Sequence, residues 1–173
     1  LLCGGPSLER GISLNSARSV MDHLESKDTQ IIPIYFDHTK KPYQISTAQL
    51  YSNTPSDFDF KLKETGKPLS QKALLNLLRK VDIVFPVIHG AYGEDGAIQS
   101  YLEKNNIPFI GSPSIACKKA FDKYKANELI KEQGFYALPS IVLKIYANDH
   151  QKLMMDFFKT HKLKRVIVKP ASG

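Results

Sequence analysis

The segment Asp82-Ile83-Val84-Phe85-Pro86-Val87-Ile88 constrains the fold more than any other stretch of this chain. It is apolar on both alternating faces, so as a strand it belongs inside a parallel sheet covered on both sides. It runs into His89-Gly90-Ala91-Tyr92-Gly93-Glu94-Asp95-Gly96, a loop with three glycines and two adjacent carboxylates, and a helical pattern begins at Ala97. Strand, loop and helix in that order make one α/β unit. In an open α/β sheet, ligands sit at the carboxyl ends of strands, where this loop carries His89, Glu94 and Asp95. On their own the same residues also describe a capped crossover turn, with Asp95 as the cap.

The rest of the chain repeats that alternation. Leu1-Leu2-Cys3 reads as the tail of a strand and Gly4-Gly5-Pro6-Ser7 as a turn bringing backbone close to its surroundings. A helix is expected from about Ser13, its cap, with Leu14, Ala17, Val20, Met21 and Leu24 as its apolar stripe. Glu9 and Arg10 lie between loop and helix. Ile31 to Phe36 reads as a strand, and residues 42–68 as an edge excursion with short strands at Tyr43-Gln44-Ile45 and Phe58 to Leu62. A helix follows over Ser70 to Lys80, then the central strand, a helix from Ala97 to Lys104, and a strand Ile107 to Ile110. Residues 1–112 thus predict a doubly wound, Rossmann-like α/β domain.

The pattern shifts after Gly111-Ser112. A broken helix over Ser114–Lys119 and Asp122–Gln133, ended by Gly134, precedes a strand Ser140–Ile145, a helix over about 149–161 and a strand Arg165–Val168. Helices followed by antiparallel-capable strands predict a second, α+β domain over 113–173, and both chain ends read as cut.

Composition narrows the function classes. The net charge of +7 comes from lysines and arginines spread over 61–80, 118–131 and 159–169 among acids and apolar helix positions. Without a compact basic tract, a nucleic-acid partner is disfavoured. No apolar run has the length of a membrane span and no signal sequence opens the chain, so a cytoplasmic protein with no membrane partner is expected. Cys3 and Cys117 lack disulfide or metal spacing. The Gly4-Gly5 loop lacks G-x-G-x-x-G, which disfavours a dinucleotide-dependent oxidoreductase.

Four patches together resemble the amino-terminal part of the D-alanine–D-alanine ligases, members of the ATP-grasp superfamily. Gly4-Gly5-Pro6-Ser7-Leu8-Glu9-Arg10-Gly11-Ile12-Ser13-Leu14 is similar to the family's Gly-Gly-x-Ser-x-Glu-x-x-x-Ser-Leu loop and helix start. His89-Gly90, Gly93-Glu94-Asp95-Gly96 and Ile98-Gln99 resemble its His-Gly-x-x-Gly-Glu-Asp-Gly signature, Gly111-Ser112 with Asp122-Lys123 its domain junction, and Val168-Lys169-Pro170 its nucleotide-domain strand.

The resemblance implies a pre-ATP-grasp domain followed by the start of an ATP-grasp domain. It implies ATP-dependent joining of two D-alanines through an acyl phosphate, for peptidoglycan, with ATP and Mg²⁺ (or Mn²⁺) as cofactors. Glu9 matches the glutamate facing the ammonium of the first D-alanine and carries the catalytic expectation. His89 and Glu94 match substrate-binding residues near its carboxylate, and Lys123 and Lys169 match the lysines on the nucleotide phosphates. The family's metal ligands and phosphate loop have no counterpart in these residues, so the chain alone is expected not to turn over. D-alanine and ATP are the implied partners, with a homodimer through the amino-terminal domain as the family's common assembly. Choice of D-alanine, D-lactate or D-serine as second substrate lies outside the matched patches, and a non-catalytic binding module is the competing class.

Overall fold

The computed structural model describes residues 1–172, which divide into two compact units, 1–118 and 119–172. In the first unit, β1 (Leu2–Gly4) pairs in parallel with β2 (Ile34–Phe36), and β2 pairs antiparallel with β3 (Pro42–Gln44). Two further parallel lanes extend the sheet on the other side of β1. Leu2 bridges Pro86 and Val84 bridges Phe109, with Leu2 N–H donating to Phe85 O (2.9 Å) and Val87 N–H to Leu2 O (2.8 Å). The 84–87 segment is therefore an interior lane, as its two apolar faces predict. Toward 107–110 the pairing stops because Pro86 and Pro108 have no N–H to give, and toward β1 it stops because Gly4 N–H and Val87 O are both taken by the Ser13 hydroxyl.

Strand alternation sorts the core into two layers. Leu2, Ile34, Phe36, Val84 and Ile88 face helices α4 (Gln71–Leu78) and α5 (Ala97–Lys104) through Leu74, Leu78, Ile98 and Leu102. Cys3, Tyr35 and Tyr43 face the opposite side, against α1 (Arg10–Leu24), α2 (Thr47–Ser52) and α3 (Pro55–Thr65) through Leu14, Ala17, Met21, Leu50 and Phe58. A sheet covered on both faces is the mixed α/β architecture that the alternation of patterns predicts. Burial pushes the Cys3 thiol up to about 12, which keeps it a neutral core group.

Two local expectations are corrected. The first helix begins at Arg10 with Glu9 as its cap residue, and Ser13 lies inside it, fully buried. The Ser13 hydroxyl is used elsewhere: it accepts from Gly4 N–H (2.8 Å) and donates to Val87 O (2.7 Å), tying two sheet lanes to the helix. Phe58 to Leu62 is helical, not extended. Thr54 and Asp57 form a capping box with Pro55 opening the first turn, and these signals outweigh the period-two alternation downstream.

Helix α6 (Ser114–Phe121) begins in the first unit and ends in the second, which holds α7 (Lys123–Glu132) and α8 (His150–Thr160). Asp122 caps α7 by accepting from Lys125 N–H at 3.0 Å, and Gly134 follows its end at φ +81°. The expected strands at 140–145 and 165–168 do not form. An extended segment becomes a strand only by pairing, and the one bridge in this unit among the described residues joins Asp122 to Ser172. Among the described residues no helix is long and apolar enough to cross a membrane.

Candidate functional site

The two loops singled out in the sequence leave the sheet side by side. β1 and the 84–87 segment are neighbouring parallel lanes, so loop 5–9 and loop 88–96 emerge at the same edge. The helices that follow diverge, α1 to one face and α5 to the other. A crevice at the carboxyl ends of strands whose helices part in this way is the standard ligand position of open α/β sheets.

Glu9 occupies one wall, as the last residue before α1, with its N–H donating to Ser7 Oγ at 3.1 Å. Gly90 occupies the other at φ +68°, and a Cβ there would lie 2.4 Å from Ser7 Oγ and 2.9 Å from Glu9 Oε2. A larger residue here would hold a strained φ and push the Ser7 and Glu9 side chains aside, so the bare Cα lets the second loop's backbone lie against the Glu9 carboxylate. His89, one residue earlier, places Nε2 2.9 Å from Ser16 Oγ on α1 and Nδ1 3.5 Å from Glu94 Oε1. The His89 and Glu94 side chains keep 33% and 53% of their exposure, so an incoming polar group can reach them. Glu9, His89 and Glu94, selected from sequence, therefore share one crevice with Ser7 and Ser16.

The remaining loop residues brace this arrangement. The Asp95 carboxylate accepts from Tyr92 N–H (3.0 Å) and Ala97 N–H (2.9 Å), which makes it a loop tie at the start of α5. A Cβ on Gly93 would lie 1.9 Å from Ile88 O, so this turn excludes any side chain. Buried Gln99 donates from Nε2 to Gly93 O at 2.6 Å. Tyr92 holds φ +77°, packs on Phe36 at 5.5 Å, and has Lys40 Nζ 5.4 Å above its ring. Burial pushes its phenol up to about 12, so it stays neutral beside Asp95.

Lys123 and Lys169 lie in the second unit. Lys123 opens α7, and its N–H donates to Ala171 O at 2.7 Å, which sets the start of that helix beside the segment carrying Lys169. Each lysine is exposed. Two ammonium groups on adjoining segments suit polyphosphate oxygens as compact point charges. Among the described residues no group of three or more His, Cys, Asp or Glu side chains is placed to hold a metal ion.

Sequence reasoning missed Ser16. Its signal was the i, i+3 spacing from Ser13, which sets both hydroxyls on one side of α1. Ser13 was noticed but given a capping role.

Comparison with known proteins bears on the same residues. The family profile "D-ala D-ala ligase N-terminus" matches residues 1–112. The D-alanine–D-alanine ligases of Halothermothrix orenii and Chlorobium phaeovibrioides are 29% and 30% identical over 156 and 162 residues, covering 90% and 88% of this chain and 44% of each relative. The solved D-alanine–D-alanine ligase from Coxiella burnetii superposes with a TM-score of 0.81 at 26% identity, over 99% of this chain and 52% of that one. The chain thus spans about half the length of the relatives it matches.

Proposed function

Given that this chain belongs to the D-alanine–D-alanine ligase family, we propose that it forms the part of an ATP-dependent ligase that holds the first D-alanine. The observation carrying this reading is the Glu9 carboxylate set against the bare Cα of Gly90, with the His89–Glu94 pair beside it. A small amino acid presents one ammonium and one carboxylate. Glu9 takes the ammonium by a charge-assisted hydrogen bond, and the imidazole side of the crevice faces the carboxylate. Gly90 carries no side chain and Gly93 admits none, so the wall is backbone, and it orients the substrate without large motions.

Lys123 and Lys169 would hold ATP through its phosphate oxygens. ATP, when bound, supplies the phosphoryl group that activates the first D-alanine's carboxylate as an acyl phosphate for attack by the amine of the second. The part this reading assigns to the chain is binding and orientation of the first D-alanine and of ATP. The product, D-alanyl-D-alanine, serves peptidoglycan synthesis, and the reading assigns no turnover to the 173-residue chain by itself.

The test is D-alanine-dependent phosphate release from ATP by a full-length ligase carrying this domain. Glu9→Gln should raise KM for the first D-alanine about ten- to hundredfold, the range of one lost charged hydrogen bond, with KM for ATP little changed. Lys169→Ala should do the reverse. A wild-type enzyme that releases no phosphate with D-alanine present overturns the reading.

A further inference from the structure

Ser16 lies inside α1, where a serine hydroxyl ordinarily turns back to the carbonyl four residues earlier. Here it reaches across to His89 Nε2 at 2.9 Å, a residue 73 positions away. The other ring nitrogen, Nδ1, faces Glu94 Oε1 at 3.5 Å. A carboxylate has no proton to give, so a lone pair on Nδ1 would point at negative charge. The proton of the neutral ring therefore sits on Nδ1, and Nε2 is left to accept the Ser16 O–H. With a donor on one nitrogen and an acceptor on the other, both tautomer and ring plane are set by protein groups.

The anchoring of α1 makes this contact stiff. Three residues before Ser16, the Ser13 hydroxyl donates to Val87 O at 2.7 Å, two residues before His89. Helix and loop are thereby pinned at the base of the crevice, and Ser16 meets the imidazole at a fixed height.

We propose that Ser16 is a positioning residue of this site, holding the His89 imidazole through Nε2 in a single tautomer. Nε2 is then hydrogen-bonded inside the protein, and Nδ1 faces the Glu94 carboxylate at ion-pair distance. The ring orientation set in this way shapes the side of the crevice that, in the D-alanine reading, faces the substrate carboxylate. The kinetic part of this inference rests on the D-alanine reading above, whereas the tautomer part does not.

The experiment uses the chain labelled with [¹⁵N]histidine. It has five histidines, so the His89 ring signals are identified by their loss in His89→Gln. At about pH 8, above the usual histidine range, wild type should show a protonated Nδ1 and an accepting Nε2 in one tautomer. Ser16→Ala should shift Nε2 and mix the tautomers, and Ser16→Thr should restore the wild-type signals. Backbone amide spectra compare the folds. If Ser16→Ala unfolds, Ser16→Cys, of similar volume with a weaker donor, carries the same comparison. Unchanged ring nitrogens without the hydroxyl, or mixed tautomers in wild type, overturn the proposal. In the full-length ligase, Ser16→Ala should raise KM for the first D-alanine roughly fivefold, the size of one neutral hydrogen bond, and leave KM for ATP alone. Were the D-alanine reading wrong, wild type itself would show no such KM, while the ring spectra would still decide the role of Ser16.

Discussion

At the scale of single residues, buried hydroxyls do much of the joining. Ser13 satisfies a β1 amide and a carbonyl of the neighbouring lane at once, in a position with no access to water. Ser13→Ala leaves both groups without their partner and is expected to cost about 1–3 kcal/mol, measured as a lower urea midpoint at unchanged slope. An unchanged midpoint would mean that other groups take up the two bonds. His89 and Glu94 stood out in the sequence because loop chemistry is local, with glycines, carboxylates and a histidine crowding the end of a strand-like run, whereas Glu9 by position alone reads as a surface charge on a turn and was singled out only by the family resemblance. Ser16 did not stand out, because its partner lies 73 positions downstream and no local pattern encodes a contact made by topology.

Among the elements, α3 teaches most. Phe58-Asp59-Phe60-Lys61-Leu62 alternates like a strand, yet the helix buries Phe58, stacks it on Tyr35 at 4.3 Å, and leaves Phe60 69% exposed. The decisive information lay upstream, in Thr54-Pro55 and Asp57. Thr54→Ala should cost about 1 kcal/mol at neutral pH, in line with other threonine caps. Hydrogen bonds from the Thr54 hydroxyl and N–H hold the Asp57 carboxyl below the usual carboxylate range. A depressed folded value means that this contribution is present above the ordinary carboxylate range and is lost as pH falls through the folded one. The difference between wild type and Thr54→Ala in urea titrations should therefore narrow in acid, and a gap constant from pH 7 to about pH 2 would contradict the capping role. Helices with a clear apolar stripe, α4 and α5 among them, agree with the sequence to within a few residues.

At the scale of the whole molecule, the two units differ in how their extended segments are used. In residues 1–118, apolar extended runs find parallel neighbours and close into a sheet with two buried faces. In the second unit, Ile145 and Ile167 are 85% and 82% exposed on segments without ladder partners. Strand propensity was readable there, but pairing is a property of the partner, which propensity does not supply. Hydrogen exchange should separate the two cases. Amides of Leu2, Ile34 and Val87, hydrogen-bonded within the sheet, are expected to exchange at least about a hundredfold more slowly than those of 141–145 and 166–168. Equal rates would show that the sheet protects no better than unpaired chain.

The bare Cα of Gly90 acts as a gauge on the crevice. A methyl group at that position overlaps the Ser7 and Glu9 side chains, so any residue but glycine has to displace the carboxylate that forms the opposite wall. Any adaptation of this wall to a bulkier amino acid has to come from elsewhere in the loops. A library randomised at residue 90 should return mostly glycine, with asparagine the leading exception because it tolerates the left-handed backbone.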